Sequence, residues 1–184
     1  MMNALTSIPG WQVYMWILAI SMPAAIHLRT ARQRDRSRRF ELVLMYILGV
    51  SGAIGMFNVV PHTVFAQDVA ESIGWPAGNP FQTEVGFASL AIGMVGFACF
   101  WRYDFWLPAI IAKSVFAWGA GVTHVLDIVR KGNLASNNAG PILAWDFLLP
   151  VVIITLYVLS RSARDRVPIT PPKYWSTRLR LDSE

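Results

Sequence analysis

The sequence has little charge and almost no cysteine, and each shortage excludes a class of function. Only 15% of its 184 residues are charged, whereas a soluble domain carries about a quarter. The one cysteine, Cys99, excludes an intrachain disulfide and any metal site built from several thiolates. Because Cys99 lies inside an apolar run, we expect a small buried side chain there.

Several motifs that carry chemistry are also missing. No glycine-rich loop resembles a phosphate cradle, no serine lies in a nucleophile elbow, and the Glu-x-x-His pair of helical di-metal sites does not occur. Basic residues interleaved with exposed aromatic residues, which a groove for single-stranded nucleic acid needs, are absent. The net charge of +5 therefore has another origin, and we expect no nucleic-acid partner.

The sequence is rich in long apolar segments. Hydrophobic residues make up 54% of the chain, and its mean hydropathy is +0.43. Roughly twenty apolar residues cross the hydrocarbon layer of a bilayer as a helix. The pattern predicts an all-α, polytopic membrane helix bundle with about five transmembrane helices, at residues 11–28, 40–65, 85–101, 106–129 and 141–159.

The basic residues lie beside these apolar runs. Six arginines fall between Arg29 and Arg39, and further basic residues lie at Arg102 and in the tail at residues 161–184. Such segments stay on the cytoplasmic side of a membrane, so the predicted topology is N-out and C-in. Residues 1–160 then form the bundle in the lipid bilayer, and the basic, proline-containing tail is predicted to be disordered in the cytoplasm.

The connector at residues 66–84 is not explained by the need to cross a bilayer. Its Gly74-Trp75-Pro76 and Gly78-Asn79-Pro80 segments predict two consecutive turns. We expect the connector to lie outside and to fold over the outer end of the bundle. A function is therefore expected at that end.

The same segment carries a resemblance. Ile73-Gly74-Trp75-Pro76, followed by Pro80-Phe81-Gln82-x-Glu84-x-Gly86, resembles a family of small uncharacterised bacterial membrane proteins with an IGWP-x-x-x-PFQ-x-E-x-G pattern. The resemblance covers roughly residues 40–160 and includes the later Gly121-x-x-His124. It implies a multi-pass protein of the bacterial inner membrane and no particular activity. A looser similarity links the hydropathy and glycine placement to DoxX-like membrane proteins, some of which are associated with quinone or thiol redox systems.

Ionisable side chains inside membrane spans are costly, and they often mark functional sites. The predicted topology brings five of them to the outer level of the bundle. Together with nearby polar and aromatic groups they form the predicted ligand-binding set: His62, Glu84, His124, Asp127, Asp146, Asn58, Gln82 and Trp75.

This set supports two kinds of site. His62, Glu84, His124 and Asp146 offer two imidazoles and two carboxylates, which suit a divalent metal such as Zn²⁺, Mn²⁺ or non-haem Fe²⁺. The alternative is a pocket for a small polar ligand or a quinone head group, with Trp75 among the apolar walls. Haem held by the two histidines is not expected, because two histidines on adjacent helices are common by chance.

A third interpretation involves no chemistry. Hydrogen bonds between membrane helices contribute on the order of 0.6 kcal/mol each on average, so several of these groups together would fasten helix ends. The protein would then be a structural or accessory subunit of a larger membrane complex, or a homo-oligomer. The sequence leaves open whether the protein is an enzyme.

Overall fold

The computed structural model describes residues 11–30 and 36–161, and the regular elements in these ranges are all helices. A 3₁₀ turn at Tyr103–Phe105 precedes α6. The predicted disordered tail, beyond residue 161, lies outside the described residues. The helices are α1 Trp11–Thr30, α2 Arg36–Phe57, α3 Val59–Val64, α4 Ala66–Ile73, α5 Phe81–Ala98, α6 Trp106–Lys131, α7 Ser136–Ala139 and α8 Pro141–Arg161.

Four helical segments are long and apolar enough to cross a membrane. They are Arg38–Val64, Phe81–Ala98, Tyr103–Lys131 and Ser136–Arg161. The all-α fold class is therefore confirmed, and four of the predicted spans correspond to helices with the length and hydropathy to cross a membrane. Helix α1 is not among the four, so the fifth span stays a prediction.

The connector differs from its prediction. Helix α4 occupies its first half, and α5 begins at Phe81 instead of residue 85, so the turns are confined to residues 74–80. The early start has a local cause: the Asn79 side chain accepts a hydrogen bond from the Phe81 backbone N–H at 3.0 Å. Pro80 follows with a φ of −74°, which suits a helix start. Gln82 and Glu84 are consequently helical residues.

The connector turns away from α4 at Gly74. This residue caps α4 with a φ of 78°, a left-handed conformation that glycine adopts without steric cost. The backbone N–H groups of Gly74 and Trp75 both donate hydrogen bonds to carbonyl oxygens in the last turns of α4. Trp75 is thereby placed at a fixed point beside the bundle.

Helices α2 and α5 make the most extensive contact in the bundle. A Cβ atom added to Gly93 would lie 2.6 Å from the backbone nitrogen of Met56 and 2.7 Å from the carbonyl oxygen of Gly52. Gly96 approaches the α2 backbone nearly as closely, with Leu48 O at 3.0 Å from its added Cβ. Lipid tails are as apolar as leucine, so such close backbone packing is a main source of helix association in membranes.

The apolar core lies in the half of the bundle where the arginine-flanked helix ends meet. Leu44, Leu48 and Ile153 are fully buried there. The turn between α5 and α6 is fastened to this core by the Trp106 indole N–H, which donates to the Cys99 carbonyl at 3.0 Å. Cys99 itself is buried, as predicted. The opposite half, beneath the connector, is packed differently.

A matched pair of substitutions tests the glycine contact. We expect Gly93→Ala to lower the free energy of unfolding by about 1–3 kcal/mol, because the new methyl group meets α2 backbone that has no room to move. Gly119→Ala is the control, since nothing lies within 4 Å of its added Cβ. Thermal unfolding in detergent should show a lower midpoint for the first variant only. Equal midpoints would contradict the close packing of α2 against α5.

Candidate functional site

A cavity of about 1050 Å³ lies beneath the connector. Its walls come from α2 and α3 on one side and α6 on the other, with α4, the Trp75 turn and the start of α8 around the top. Two of its apolar lining residues, Phe57 and Val115, are 76% and 66% exposed and belong to candidate membrane spans. The cavity therefore reaches the surface of the bundle at the depth of the spans.

The cavity has mostly apolar walls and a small polar group. Its apolar side chains include Trp16, Phe57, Trp75, Phe81 and Phe116. Its polar side chains include five of the residues that the sequence predicts for a site, among them the ionisable residues His62, His124 and Asp146. Such a combination is typical of sites that bind small molecules. The remaining polar and ionisable lining residues are Asn58, Ser72, Gln82, Ser89, Thr123, Ser136 and Asn137.

His124 is buried on α6 and held in one orientation. Its Nδ1 lies 2.7 Å from Oδ1 of Asn138, a fully buried residue of α7. The amide orientation of Asn138 is set by its own Nδ2, which donates to the Asn133 carbonyl at 2.8 Å. Oδ1 of Asn138 must therefore accept, so Nδ1 of His124 carries the hydrogen. In the neutral imidazole this leaves Nε2 as a hydrogen-bond acceptor.

That acceptor faces Asp146 near the start of α8. The distance from His124 Nε2 to Asp146 Oδ2 is 3.9 Å, too long for a direct hydrogen bond. Oδ2 is buried and has no hydrogen-bond partner among the described residues. The two helices approach here because residue 121 is glycine, whose added Cβ would lie 3.2 Å from Asp146 Cβ. The site thus contains a buried carboxylate oxygen next to an imidazole, with no bond between them.

On another wall of the cavity, His62 is held by a side-chain amide, as His124 is. Its Nδ1 lies 2.8 Å from Gln82 Oε1, and Gln82 is buried in the first turn of α5. One turn further along α5, Gly86 allows close approach, since its added Cβ would lie 3.1 Å from His62 Cβ. With Nδ1 donating to Gln82, the neutral His62 ring also has Nε2 as an acceptor.

Trp75 forms a lid over His124. The two rings stack with centroids 5.4 Å apart and an interplanar angle of 22°. The edge of Phe81 packs against Trp75 with centroids 5.6 Å apart. The Trp75 indole N–H donates to Asp127 Oδ2 at 2.8 Å. Trp75 is therefore held by both its ring and its N–H.

Asp127 forms several polar contacts that hold this end of the molecule together. Its buried carboxylate accepts from Asn133 Nδ2 at 2.6 Å and pairs with Lys131 Nζ at 2.9 Å. Asn133 Nδ2 also donates to the Ile73 carbonyl at the end of α4, at 2.8 Å. Asp127 and Asn133 thus tie the connector to the loop after α6. Asp127 does not line the main cavity; it lines a smaller one of about 380 Å³ on the other side of Trp75.

Glu84 lies apart from the other predicted residues. It is exposed, and it is not among the lining residues of the main cavity. Gln82 and Glu84 are two positions apart on one helix, which places them on nearly opposite sides. Within the described parts of the chain, no three His, Cys, Asp or Glu side chains are grouped closely enough to hold a metal ion.

Sequence reasoning missed two residues that organise the site. Asn133 and Asn138 read as turn formers in the loop after α6, but their amides hold Asp127 and His124. The available signal was their position directly after a helix that ends with two buried ionisable groups. Such groups need hydrogen-bond partners when they are buried.

The comparisons with known proteins identify a family but no activity. The model described as "Family of unknown function (DUF6790)" matches residues 10–166, so the chain belongs to that family. No curated protein and no solved structure matches the chain. The particular sequence pattern and the similarity to DoxX-like proteins stay predictions.

Replacing Asn133 tests whether its side chain holds the connector to the loop after α6. We expect Asn133→Ala to raise the hydrogen-exchange rate of backbone amides in residues 66–75, because α4 loses its bond to the loop and Asp127 loses a donor. Asn79→Ala is the control, since the Asn79 side chain bonds only within its own turn. Its effect should stay within residues 76–82. Unchanged exchange in residues 66–75 of Asn133→Ala would show that the connector is held by other contacts.

Proposed function

We propose that this family member binds a small amphipathic molecule in the main cavity, as a multi-pass protein of the bacterial inner membrane. The observation that carries the proposal is the combination of a cavity of about 1050 Å³ with aromatic walls and one cluster of polar groups, His62, His124 and Asp146. Ligand pockets in proteins span about 300–1,000 Å³ and have this composition.

Among the predicted ligand classes, the geometry favours a molecule with an apolar body. A quinone or quinol is one such molecule, and its ring would lie between aromatic walls such as Trp75 and Phe116. A divalent metal is supported less well, because Glu84 is exposed and only one carboxylate, that of Asp146, faces the histidines of the cavity.

The accessory-subunit alternative is favoured by no specific observation. It needs a stripe of small residues that faces lipid and awaits a partner. The glycines of α5 at positions 93 and 96 are instead covered by α2, and Gly119 with Ala120 lines the cavity.

Filling the cavity tests the proposal. Gly119 lines the cavity and has open space beyond its Cα, so Gly119→Phe should occupy the site without displacing its neighbours. We expect native mass spectrometry of the purified protein, incubated with decylubiquinone or with its reduced quinol, to show a bound lipophilic molecule on the unmodified chain. The same adduct should be absent from Gly119→Phe.

The control carries the same side chain on another surface. Val151→Phe alters an exposed position of α8 that does not line the cavity, so its adduct should persist. If the unmodified chain and Gly119→Phe carry the same molecules, co-purified or added, binding in the cavity is disproved.

The proposed topology has five spans, with the N-terminus and connector outside and the arginine segment and tail inside. In a Cys99→Ser background, a membrane-impermeant maleimide applied to intact cells should label Asn3→Cys. It should label Arg34→Cys only after the cells are opened. Labelling of both positions in intact cells would contradict the proposal that α1 crosses the membrane.

A further inference from the structure

Two acceptor atoms lie close together in the cavity. Asp146 Oδ2 has no partner within the described chain, and His124 Nε2, an acceptor in the neutral ring, lies 3.9 Å from it. Two neighbouring acceptors repel each other, and a buried acceptor without a partner is unfavourable. A molecule that donates to both atoms at once would remove this cost.

The charges around the cavity further restrict the head groups that it can bind. Asp146 is the only carboxylate among its lining residues in the described structure, and no lysine or arginine lines it. Two donors of the lining are used elsewhere: the Trp75 N–H donates to Asp127 and the Thr123 hydroxyl to the Gly119 carbonyl. An anionic head group would therefore meet a carboxylate and no cation, and its burial would be unfavourable.

A single hydroxyl fits the acceptor pair poorly, because it has one hydrogen to donate. A protonated primary amine has three, and its nitrogen can lie at hydrogen-bond distance from two atoms that are 3.9 Å apart. Aromatic rings line the same cavity, and the face of an aromatic ring favours a cation.

We propose that the cavity is selective for lipophilic amines, whose protonated nitrogen donates to both Asp146 Oδ2 and His124 Nε2 while the apolar body lies between the aromatic walls. This inference rests on the proposed function, since it assigns a ligand class to the same cavity. Head-group selection is nevertheless separable from cavity binding, because the two depend on different residues.

The test uses four compounds with one 4-phenylbutyl body and different head groups: the primary amine, the alcohol, the trimethylammonium ion and the carboxylate. Each is titrated against the full chain in nanodiscs of zwitterionic lipid, with tryptophan fluorescence as the readout and Gly119→Phe protein as the reference. We expect the primary amine to bind about tenfold or more tightly than the other three, as hydrogen bonds to charged groups predict.

Two substitutions locate the selectivity. Asp146→Asn keeps the shape of the side chain and removes its charge, so the preference for the amine over the alcohol should fall about tenfold. Glu84→Gln removes the same charge from an exposed position of the same end and should leave the preference unchanged. If Asp146→Asn does not fold, the comparison of the four compounds on the unmodified chain is still decisive.

The outcomes separate the two proposals. If the alcohol or the trimethylammonium ion binds as tightly as the amine, and Gly119→Phe abolishes both, the amine inference is wrong and the cavity proposal stands. If the carboxylate binds most tightly, the inference is wrong as well. If no compound distinguishes the unmodified chain from Gly119→Phe, the inference fails, and the decylubiquinone experiment alone decides the proposed function.

Discussion

The buried carboxylate of Asp127 is the constraint on which the connector end depends. It accepts hydrogen bonds from Trp75 and Asn133 and pairs with Lys131, so one side chain joins the connector, the loop after α6 and α6 itself. A buried carboxylate is stable only when it is paired and hydrogen-bonded. Its partners are therefore held in place, and Trp75 is fixed over His124 as a consequence.

The two halves of the bundle are packed differently. Toward the arginine-flanked ends, Leu44, Leu48 and Ile153 fill a core without exposed atoms, and glycines bring α2 against α5. Toward the connector, α2 and α6 lie around a cavity whose mostly apolar walls carry a small group of polar side chains. Rigid packing at one end allows the other end to hold a cavity, because the helices are already fixed relative to one another.

Membership of a family of unknown function makes the side-chain geometry the main guide to activity. The geometry combines an apolar region of the cavity with a polar group that includes an unpartnered oxygen, Asp146 Oδ2. His62 and His124 each use Nδ1 for an amide, which leaves both Nε2 atoms available. The proposed ligand is therefore one whose head group donates hydrogen bonds and whose apolar body fits between the aromatic walls.

The sequence by itself determined the helical class and four helices with the length and hydropathy to span a membrane, since apolar length is a local property. It did not determine the partners of the titratable groups. Glu84 and Gln82 look equivalent in the sequence, but a helix that starts four residues early turns Gln82 toward His62 and Glu84 outward. The roles of Asn133 and Asn138 were likewise decided by tertiary structure. A side-chain amide has no preferred partner until packing brings one within about 3 Å.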